Sequence, residues 1–441
     1  MLITEKKPKE FICDNIDRLE DGELTFRGQR LSHLAKKYGT PLYLYDEEKI
    51  RENCRAYLAA VREGFGSRGK VLYASKAASF KRLYEIMREE DMGIDVVSCG
   101  EIYTAQRADF DLSRAYFHSN NKTDEDIEYA IETGVGYFVA DNAEELYAIE
   151  RIASEYEKRC NVLLRITPGI DPHTYAAVAT GKVDSKFGSA IETGQAMEIT
   201  RLALSLPHVQ LRGFHCHVGS QIFDAEIYLK TSKVMLDFIA EVYENLEYLA
   251  DELDLGGGLG VRYTESQPTL DISAVILSVA DALNTRADEL GIPLPVICFE
   301  PGRSIVADAG LTLYTVGTVK DIPGYKAYVS VDGGMTDNPR YALYGSPYTI
   351  LPVIDSDSED RAVSVVGRCC ESGDILQEGV MLPSDTKRGD LLACLTTGAY
   401  HYSMASNYNR IPRPAVVILT KNSDYLSVKR ETVEDVSSLD I

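Results

Sequence analysis

Short apolar runs alternate with longer amphipathic stretches through the middle of the chain, between about residues 70 and 303. Runs of this kind are typical of buried strands in a parallel sheet, and stretches with apolar positions three and four residues apart predict helices, as at 79–90 and 143–158. Eight such runs predict a (β/α)8 barrel, a TIM barrel in the α/β class. The runs are VLYAS at 71, GIDVVS at 93, AYFHS at 115, GYFVA at 136, NVLLRI at 161, QLRGFHC at 210, LDLGG at 253 and PVICFE at 295.

Beyond Arg303 the apolar positions follow a period of two instead of the helical period. The runs LTLYTVGTV, KAYVSVD, AVSVVGR, LLACLTT and PAVVILT are separated by Gly, Pro and Asp, which predicts a mostly antiparallel, β-barrel-like second domain. A chain of 441 residues also exceeds what one hydrophobic core usually supports. We therefore expect an N-terminal segment over 1–45 that pairs with the β domain, the barrel over 46–303, and the β domain over 304–441.

Charge and cysteine usage narrow the possible partners and the compartment. The formal net charge of -22 disfavours nucleic acid and anionic membrane surfaces, because both would repel the chain. No 18 apolar residues run together and no apolar stretch follows the basic residues near the N-terminus, so no membrane partner is expected. The nine cysteines lack a CxxC spacing and include the adjacent Cys369 and Cys370, which predicts reduced thiols and a cytoplasmic protein.

Polar residues follow the apolar runs at the edge where a barrel carries its chemistry. Active sites of this architecture lie at the carboxyl ends of the strands, so the residue after each run is a candidate. These residues are Lys76, Ser98, Asn120, Asp141, Arg165, His217, Gly256–Gly258 and Glu300–Arg303.

Two of these positions suggest specific chemistry. Lysine is almost never buried without a partner, so Lys76 either ends an exposed strand or has a chemical use for its nitrogen. The glycines of DLGGGLG, Gly256, Gly257 and Gly258, allow backbone N–H groups to approach an anion after the seventh strand, where barrels often bind phosphate. Glycine runs also make ordinary turns, so this motif alone is weak.

The sixth and eighth strands add titratable side chains. His215 and His217 share one face of a strand, and they are either part of a metal site, for which the sequence offers no complete ligand set, or a ring-stacking imidazole beside a core histidine. Ser220 offers a hydroxyl to a phosphate. Glu300 and Arg303 form either a structural salt bridge or separate contacts to a ring nitrogen and an anion. Together with Lys76 as an amine for an aldehyde, these groups meet the requirements of pyridoxal phosphate (PLP).

Seven stretches carry a family resemblance: YASKA, HVGSQ, GGGLG, EPGR, MTDNPRYALYG, CESGD and TGAYHYSMASNYN. Over about residues 26–425 the chain resembles the fold-type III PLP-dependent decarboxylases. The resemblance implies pyridoxal 5'-phosphate as the cofactor and Lys76 as the lysine that carries it. The implied cofactor-binding residues are Lys76, His217, Ser220, Gly256, Gly257, Gly258, Glu300, Gly302, Arg303 and Tyr400.

The resemblance also implies catalytic and substrate roles. Cys370 would be the proton donor beside the catalytic Lys76, and the two residues Cys370 and Glu371 would come from the other subunit of a homodimer with shared active sites. The implied substrate-binding residues are Arg303, Arg340, Tyr344, Glu371 and Tyr400.

Charge then indicates the substrate among small amino acids. Two arginines require an anion and Glu371 suits an amine, so a substrate with both groups at its far end satisfies them together. Meso-2,6-diaminopimelate is such a molecule, and its decarboxylation gives L-lysine and CO2. We expect no metal.

Two departures and three alternatives stay open. Tyr341 stands where the family usually has proline, and GSPYT follows ALY where the family usually has a histidine nearby, which puts the shape of this loop in doubt. The nearest alternative is a related decarboxylase acting on carboxynorspermidine or a D-amino acid. The others are a metal-dependent barrel hydrolase built on His215 and His217, and a non-catalytic PLP-binding regulator.

Overall fold

The computed structural model describes residues 11–171, 185–421 and 423–441. It divides into two compact units, which we call the sheet unit and the barrel unit. The sheet unit contains the residues up to Lys49, Arg262–Thr269 and Ala307–Ile441, and the barrel unit contains Ile50–Val261 and Leu270–Val306. The first ten residues of the expected N-terminal segment lie outside the described residues.

The two units differ from the expected domains by a few residues at each boundary and by one internal segment. Residues 262–269 were assigned to the barrel by sequence but belong to the sheet unit. Tyr263 explains this, because its ring packs edge-on against Tyr348 with centroids 5.1 Å apart. Its carbonyl also accepts a hydrogen bond of 2.9 Å from the Thr349 hydroxyl.

Strands and helices alternate through most of the described chain. The strands, in chain order, are β1 (Ile16–Arg18), β2 (Leu24–Phe26), β3 (Gln29–Arg30), β4 (Leu42–Asp46), β5 (Gly69–Ala74), β6 (Gly93–Val96), β7 (Ala115–Phe117), β8 (Tyr137–Ala140), β9 (Cys160–Thr167), β10 (Ser189–Ala190), β11 (Val209–His215), β12 (Glu252–Asp254), β13 (Val296–Phe299), β14 (Gly310–Ile322), β15 (Lys326–Val331), β16 (Ile350–Pro352), β17 (Asp360–Val366), β18 (Ile375–Pro383), β19 (Leu391–Leu395), β20 (Ala415–Leu419) and β21 (Asp424–Val428). The helices are α1 (Leu31–Tyr38), α2 (Glu47–Phe65), α3 (Lys81–Glu89), α4 (Cys99–Arg107), α5 (Asp124–Thr133), α6 (Ala143–Glu155), α7 (Gln195–Ser205), α8 (Ala225–Leu246), α9 (Ile272–Leu290), α10 (Arg303–Val306), α11 (Arg340–Tyr344) and α12 (Val433–Ser437).

The barrel unit is a closed ring of eight parallel strands. The order is β5-β6-β7-β8-β9-β11-β12-β13, and β13 pairs with β5 to close the ring. Each of the eight apolar runs is one of these strands, so the predicted (β/α)8 barrel is confirmed. The runs are nearly continuous because helices cover one face of each strand while the barrel interior buries the other.

The helix boundaries differ slightly from those predicted. Helix α3 begins at Lys81 rather than at 79, because Phe80 has extended backbone angles. Helix α6 begins as predicted, where the side chain of Asn142 caps the N–H of Glu145, but ends three residues early. Glu157 adopts a left-handed φ of 50°, which stops the helix. No helix in the described ranges is long and apolar enough to cross a membrane.

The sheet unit is built on a mostly antiparallel sheet of nine strands. Its main path is β18-β17-β15-β14-β4-β20-β21, and β19 pairs with β14 and β16. The N-terminal strand β4 lies between β14 and β20. The five predicted runs are β14, β15, β17, β19 and β20, whereas β16, β18 and β21 were missed. Strand β18 lacks clean alternation, since QEG interrupts its apolar positions and Gly379 has a φ of 69°.

Candidate active site

Lys76 lies at the carboxyl end of the first barrel strand. A short 3-10 turn, Ser75–Ala77, follows β5 and carries it. Its Nζ is 3.5 Å from Oδ2 of Asp95, and its side chain is 42% exposed while that of Asp95 is fully buried. The amine therefore reaches the mouth of the barrel beside a buried carboxylate.

Glu300, directly after β13, is held between two imidazoles. Its Oε1 lies 2.7 Å from Nε2 of His118, and its Oε2 lies 3.1 Å from Nε2 of His215. All three side chains are buried. The two imidazole rings meet edge to face, with centroids 4.8 Å apart.

Electrostatics fix the charge of this cluster. Burial opposes ionisation of Glu300, but His118 and His215 outweigh it and hold the pKa of Glu300 well below its usual range. Burial lowers the pKa of His215 to about 3 despite the attraction of Glu300. We infer that a neutral His215 donates its Nε2 proton to the Glu300 carboxylate.

Sequence reasoning missed two members of this site. On the second and third strands the candidates were Ser98 and Asn120, but the structure brings Asp95 and His118 to Lys76 and Glu300 instead. Ser98 caps α4 by accepting a hydrogen bond from a backbone N–H. The available signal was a polar residue inside an apolar strand run, D in GIDVVS and H in AYFHS, because barrel strands bury both faces.

The possible metal ligands that lie together are not the pair named by the metal-hydrolase alternative, His215 and His217. The set of three possible ligands found in the described residues is His118, His215 and Glu300, without His217. Nitrogens and oxygens bound to one tetrahedral zinc at about 2.0–2.1 Å lie roughly 3.3 Å apart. The distances of 2.7 and 3.1 Å from the Glu300 carboxylate are shorter than that, and the contact with His215 is a hydrogen bond.

Glu300 and Arg303 have separate partners. The guanidinium of Arg303 donates to the Ser220 hydroxyl from Nη2 at 2.9 Å and from Nε at 3.3 Å. The carboxylate of Glu300 contacts the imidazoles, and no ion pair within 4.0 Å joins it to Arg303 in the described part of the chain. The structural salt bridge considered from sequence is therefore wrong.

The glycine loop after β12 packs backbone against backbone. Gly256 and Gly258 have φ angles of 66° and 113°, which residues with a Cβ rarely adopt. A Cβ on Gly257 would lie 2.0 Å from the carbonyl oxygen of Glu300. A Cβ on Gly302, in the next loop, would lie 2.9 Å from the Cβ of Ala74. Glycine is thus required for these strand-end loops to approach one another.

His217 lies against this loop. A Cβ on Gly256 would come within 2.9 Å of its Nδ1. Burial, and next the positive charge of Lys76, hold the pKa of His217 well below its usual value. The ring is therefore neutral at physiological pH, as stacking on an electron-poor aromatic ring requires.

The remaining rim candidates form a buried pair. Nε of Arg165 lies 4.0 Å from Oδ1 of Asp141, and the guanidinium also covers the ring of Phe187 at 4.3 Å. Burial lowers the pKa of Arg165 and raises that of Asp141, although each partner opposes the shift of the other.

The residues of the barrel unit fit pyridoxal phosphate. Lys76 supplies an amine at the mouth, and Glu300 supplies a buried anion for a ring nitrogen. The buried Arg303 and the half-buried Ser220 supply donors for a phosphate, next to loops whose glycines admit close backbone approach. The donor set matches the aldehyde, the pyridine nitrogen and the phosphate of that cofactor.

The sheet unit carries a cation of another kind. Arg340 opens α11 with only 6% of its surface exposed. Its guanidinium carbon lies 5.2 Å from the ring centroid of Tyr344 and 5.1 Å from that of Tyr400. Its buried Nε has no hydrogen-bond partner, and no carboxylate of the described residues comes within 4.0 Å. Arg340 is thus packed by aromatic faces but lacks an anion.

Cys370 and Glu371 are exposed on a loop that follows β17. Asp374 anchors the loop, since its two carboxylate oxygens accept hydrogen bonds from the N–H groups of Met335 at 2.6 Å and Cys369 at 2.7 Å. The N–H of Cys370 donates to the Asn409 side chain at 2.8 Å. The loop is therefore well ordered while its functional side chains stay accessible.

Comparison with known proteins places this geometry in a class. Residues 47–307 match the family described as pyridoxal-dependent decarboxylase, pyridoxal binding domain. The match covers more than half of the chain and includes all eight barrel strands.

Full-length relatives then narrow the class. The chain is 44% identical to a diaminopimelate decarboxylase of Bacillus subtilis over 96% of each chain, and 43% identical to that of Staphylococcus aureus over 95% of this chain and 97% of the other. A crystal structure of diaminopimelate decarboxylase from M. jannaschii with L-lysine superposes with a TM-score of 0.89 at 33% identity, over 98% of this chain and 99% of that one. The chain belongs to the diaminopimelate decarboxylase family, which confirms the resemblance seen in its sequence.

Proposed function

We propose that this chain decarboxylates meso-2,6-diaminopimelate to L-lysine and CO2, the last step of lysine biosynthesis. Arg340 is the observation that carries the choice of substrate. The buried Nε of Arg340 has no hydrogen-bond partner among the described residues, which is costly, and a substrate carboxylate would bind the guanidinium with two parallel hydrogen bonds. The M. jannaschii relative, whose crystal structure contains L-lysine, supports a ligand of this size and charge.

Pyridoxal phosphate bound in the barrel would act as an electron sink for the bond that breaks when CO2 leaves. Lys76 would hold this cofactor through its amine at the mouth of the barrel. Glu300 keeps a proton on the ring nitrogen, because its carboxylate stays ionised between His118 and His215. The neutral His217 would cover the ring of the cofactor, and Arg303, Ser220, Gly256–Gly258 and Gly302 would surround its phosphate.

The substrate is chosen by opposite charges at its far end. Arg340 binds the distal carboxylate between Tyr344 and Tyr400, and Glu371 binds the distal amine. Relatives that act on ornithine-type substrates need to hold only a distal ammonium. A buried guanidinium would repel such a diamine precursor, which favours diaminopimelate.

Cys370 donates the proton that replaces CO2 at the reacting carbon. Its side chain is exposed on the anchored loop, together with Glu371. We infer that both side chains serve the active site of a second subunit in a homodimer. Exposure of two functional residues in the isolated chain supports this assignment.

We also propose a cytoplasmic location. All nine cysteines are free thiols, which suits a reducing compartment. Cell fractionation in which the protein is found only outside the cytoplasm would contradict this location.

The decisive experiment measures CO2 release from meso-diaminopimelate, L-ornithine, L-lysine and L-arginine by the PLP-loaded enzyme. We expect release from diaminopimelate at least about a hundred times more efficient in kcat/KM, because the other substrates lack the distal pairing of charges. Preferred turnover of another amino acid, such as carboxynorspermidine or a D-amino acid, would contradict the substrate assigned to the chain. Bound PLP without CO2 release would favour the regulator.

A further inference from the structure

His401 joins the two segments of the sheet unit that carry the proposed substrate residues. One segment contains Asn338 and Arg340, and the other contains Tyr400. Nε2 of His401 lies 2.9 Å from Oδ1 of Asn338. Both side chains are fully buried, so no water can replace this bond if it is lost.

The imidazole of His401 is fixed in its plane and at its edge. Its Nδ1 lies 2.9 Å from the carbonyl oxygen of Ala399, within its own segment. The ring of Tyr348 packs against it at 88°, with centroids 5.0 Å apart. The ring therefore has one orientation, and that orientation directs Nε2 at Asn338.

Asn338, the partner of His401, is also held in place by its neighbours. Asn338 is separated from Arg340 only by Pro339, and its amide nitrogen contacts Sγ of Cys394 at 3.6 Å. The N–H of Ser406 donates to the carbonyl of Thr336 at 2.9 Å, which ties the same two segments a second time.

Tyr400 has a backbone conformation that is unfavourable for a residue with a Cβ. It has a φ of 62°, a left-handed conformation that a residue with a Cβ avoids unless its surroundings enforce it. The hydrogen bonds of His401 lie immediately beside this residue. They keep the Tyr400 ring 5.1 Å from the guanidinium carbon of Arg340.

We propose that His401 and Asn338 are positioning residues that set Arg340 against Tyr400 and so select ligands with a distal carboxylate. The inference rests on the proposed function, since it assigns the anion to Arg340. A bidentate contact depends on the plane of the guanidinium, and a shift of about 1 Å in its support weakens it strongly. The histidine itself touches no substrate in this proposal.

Two ligands separate positioning from general damage. L-lysine keeps the distal carboxylate of diaminopimelate, whereas cadaverine has the same carbon chain and lacks it. Binding to the PLP-loaded enzyme is measured by calorimetry, so turnover is not needed. In His401→Phe, which keeps the ring packing but loses the hydrogen bond, we expect the Kd of L-lysine to rise about tenfold and that of cadaverine to change less than twofold.

Conservative replacement and coupling complete the test. His401→Gln offers an amide that can donate to or accept from the Asn338 side chain, and it should bind L-lysine within about threefold of the wild type. In an Arg340→Gln background, His401→Phe should have no further effect, because the two changes act through one contact. Thermal unfolding checks that each variant is folded, and Asn338→Ala carries the same test should His401→Phe fail to fold.

The possible failures are distinguishable. Equal losses for L-lysine and cadaverine, no loss for L-lysine, or additive effects with Arg340→Gln would overturn the positioning role alone. A wild-type enzyme that binds cadaverine as tightly as L-lysine would instead overturn the assignment of Arg340, and with it the proposed substrate.

Discussion

The charged groups of the barrel unit and those of the sheet unit are satisfied in opposite ways. In the barrel, Lys76 has Asp95 as its partner and Glu300 has two imidazoles. In the sheet unit, Arg340 is buried between aromatic rings with no anion beside it among the described residues, and Glu371 is exposed. We call the barrel cluster the settled region, because its charged groups have charged or imidazole neighbours before any ligand arrives, although Oδ1 of Asp95 and Oε1 of Glu300 make no hydrogen bond within the described part of the chain. Arg340 has no such neighbour among the described residues, and we call its surroundings the unsettled region.

This difference fits two kinds of ligand. A cofactor that stays needs charges of fixed sign, and buried hydrogen-bond partners provide them without reorganisation during the reaction. A substrate that enters and leaves is better bound by a group whose partner is missing until it arrives. The desolvation of Arg340 has already occurred in the folded protein, so the arriving carboxylate gains most of the interaction energy.

Removing Lys76 should have the largest effect and tests the settled region. With Lys76→Ala we expect kcat to fall by about 10,000-fold or more, because no other amine can exchange with the substrate at this position. The absorbance band of covalently held PLP should also disappear. Lys81→Ala, at an exposed lysine that begins α3, is the matched control and should keep both. A coloured, active Lys76→Ala enzyme would remove Lys76 from the mechanism.

Mixing two inactive variants tests whether the exposed side chains complete a neighbour's site. Lys76→Ala and Cys370→Ala protomers should together recover up to about a quarter of the wild-type activity, because random pairing in a two-fold dimer gives half of the dimers one intact site. Each variant mixed with itself is the control. Absence of recovery after demonstrated subunit exchange would mean that Lys76 and Cys370 act within one chain.

The sequence predicted the settled region better than the unsettled one. All eight barrel strands followed from apolar runs, because strands buried on both faces leave a strong signal. In the sheet unit, β16, β18 and β21 were missed, since short and irregular strands have no clear period. Strand β18 is interrupted by Gly379, whose left-handed φ a pattern of apolar residues does not reveal.

Partners were harder to predict than positions. From the sequence, Glu300 and Arg303 could form either an ion pair or separate contacts. Their partners are His118 directly after β7, His215 on β11 and Ser220 in the loop after β11. Such contacts depend on which side chains point into the barrel, and this follows from strand register rather than from spacing. His118 was missed for the same reason. The sequence gives no sign that Arg340 has no anion beside it among the described residues, because the neighbours of a side chain depend on how the folded chain packs.

Replacing Arg340 should sharpen the contrast between the two regions. We expect Arg340→Ala to lower kcat/KM for diaminopimelate by a factor that corresponds to about 2–4 kcal/mol of lost transition-state stabilisation. The reason is that a charged hydrogen-bond partner is lost from a dry site. The distal carboxylate has the same charge in the ground and transition states, so KM should rise more than kcat falls. Arg340→Lys keeps the charge but not the planar fork, and should show the same pattern to a smaller degree.

Arg361→Ala, at a partly exposed arginine on β17, is the control and should leave both constants unchanged. An unchanged KM in Arg340→Ala would show that Arg340 does not hold the distal carboxylate. The lack of an anion beside Arg340 among the described residues would then not explain which substrate the protein selects.

The smallest expected effect concerns Glu101, a carboxyl group near Asp95 and Lys76 whose pKa lies close to neutral pH. Burial raises the pKa of Glu101 to about 7, with Asp95 adding to the shift and the hydrogen bond from the Val97 N–H opposing it. A folded-state pKa above the unfolded value means that the native state binds more protons between about pH 4.5 and 7. This contribution to stability is therefore present at low pH and lost as the pH rises through 7.

Glu101→Gln imitates the protonated acid and keeps an acceptor for the Val97 N–H. Relative to the wild type, its free energy of unfolding in urea should rise by about 1–3 kcal/mol between pH 5 and pH 8. Glu198→Gln, at an exposed position on α7, controls for the loss of one negative charge and should run parallel to the wild type. If the Glu101→Gln curve is also parallel, Glu101 is already ionised at low pH, and the environment around Asp95 and Lys76 is more polar than its burial indicates.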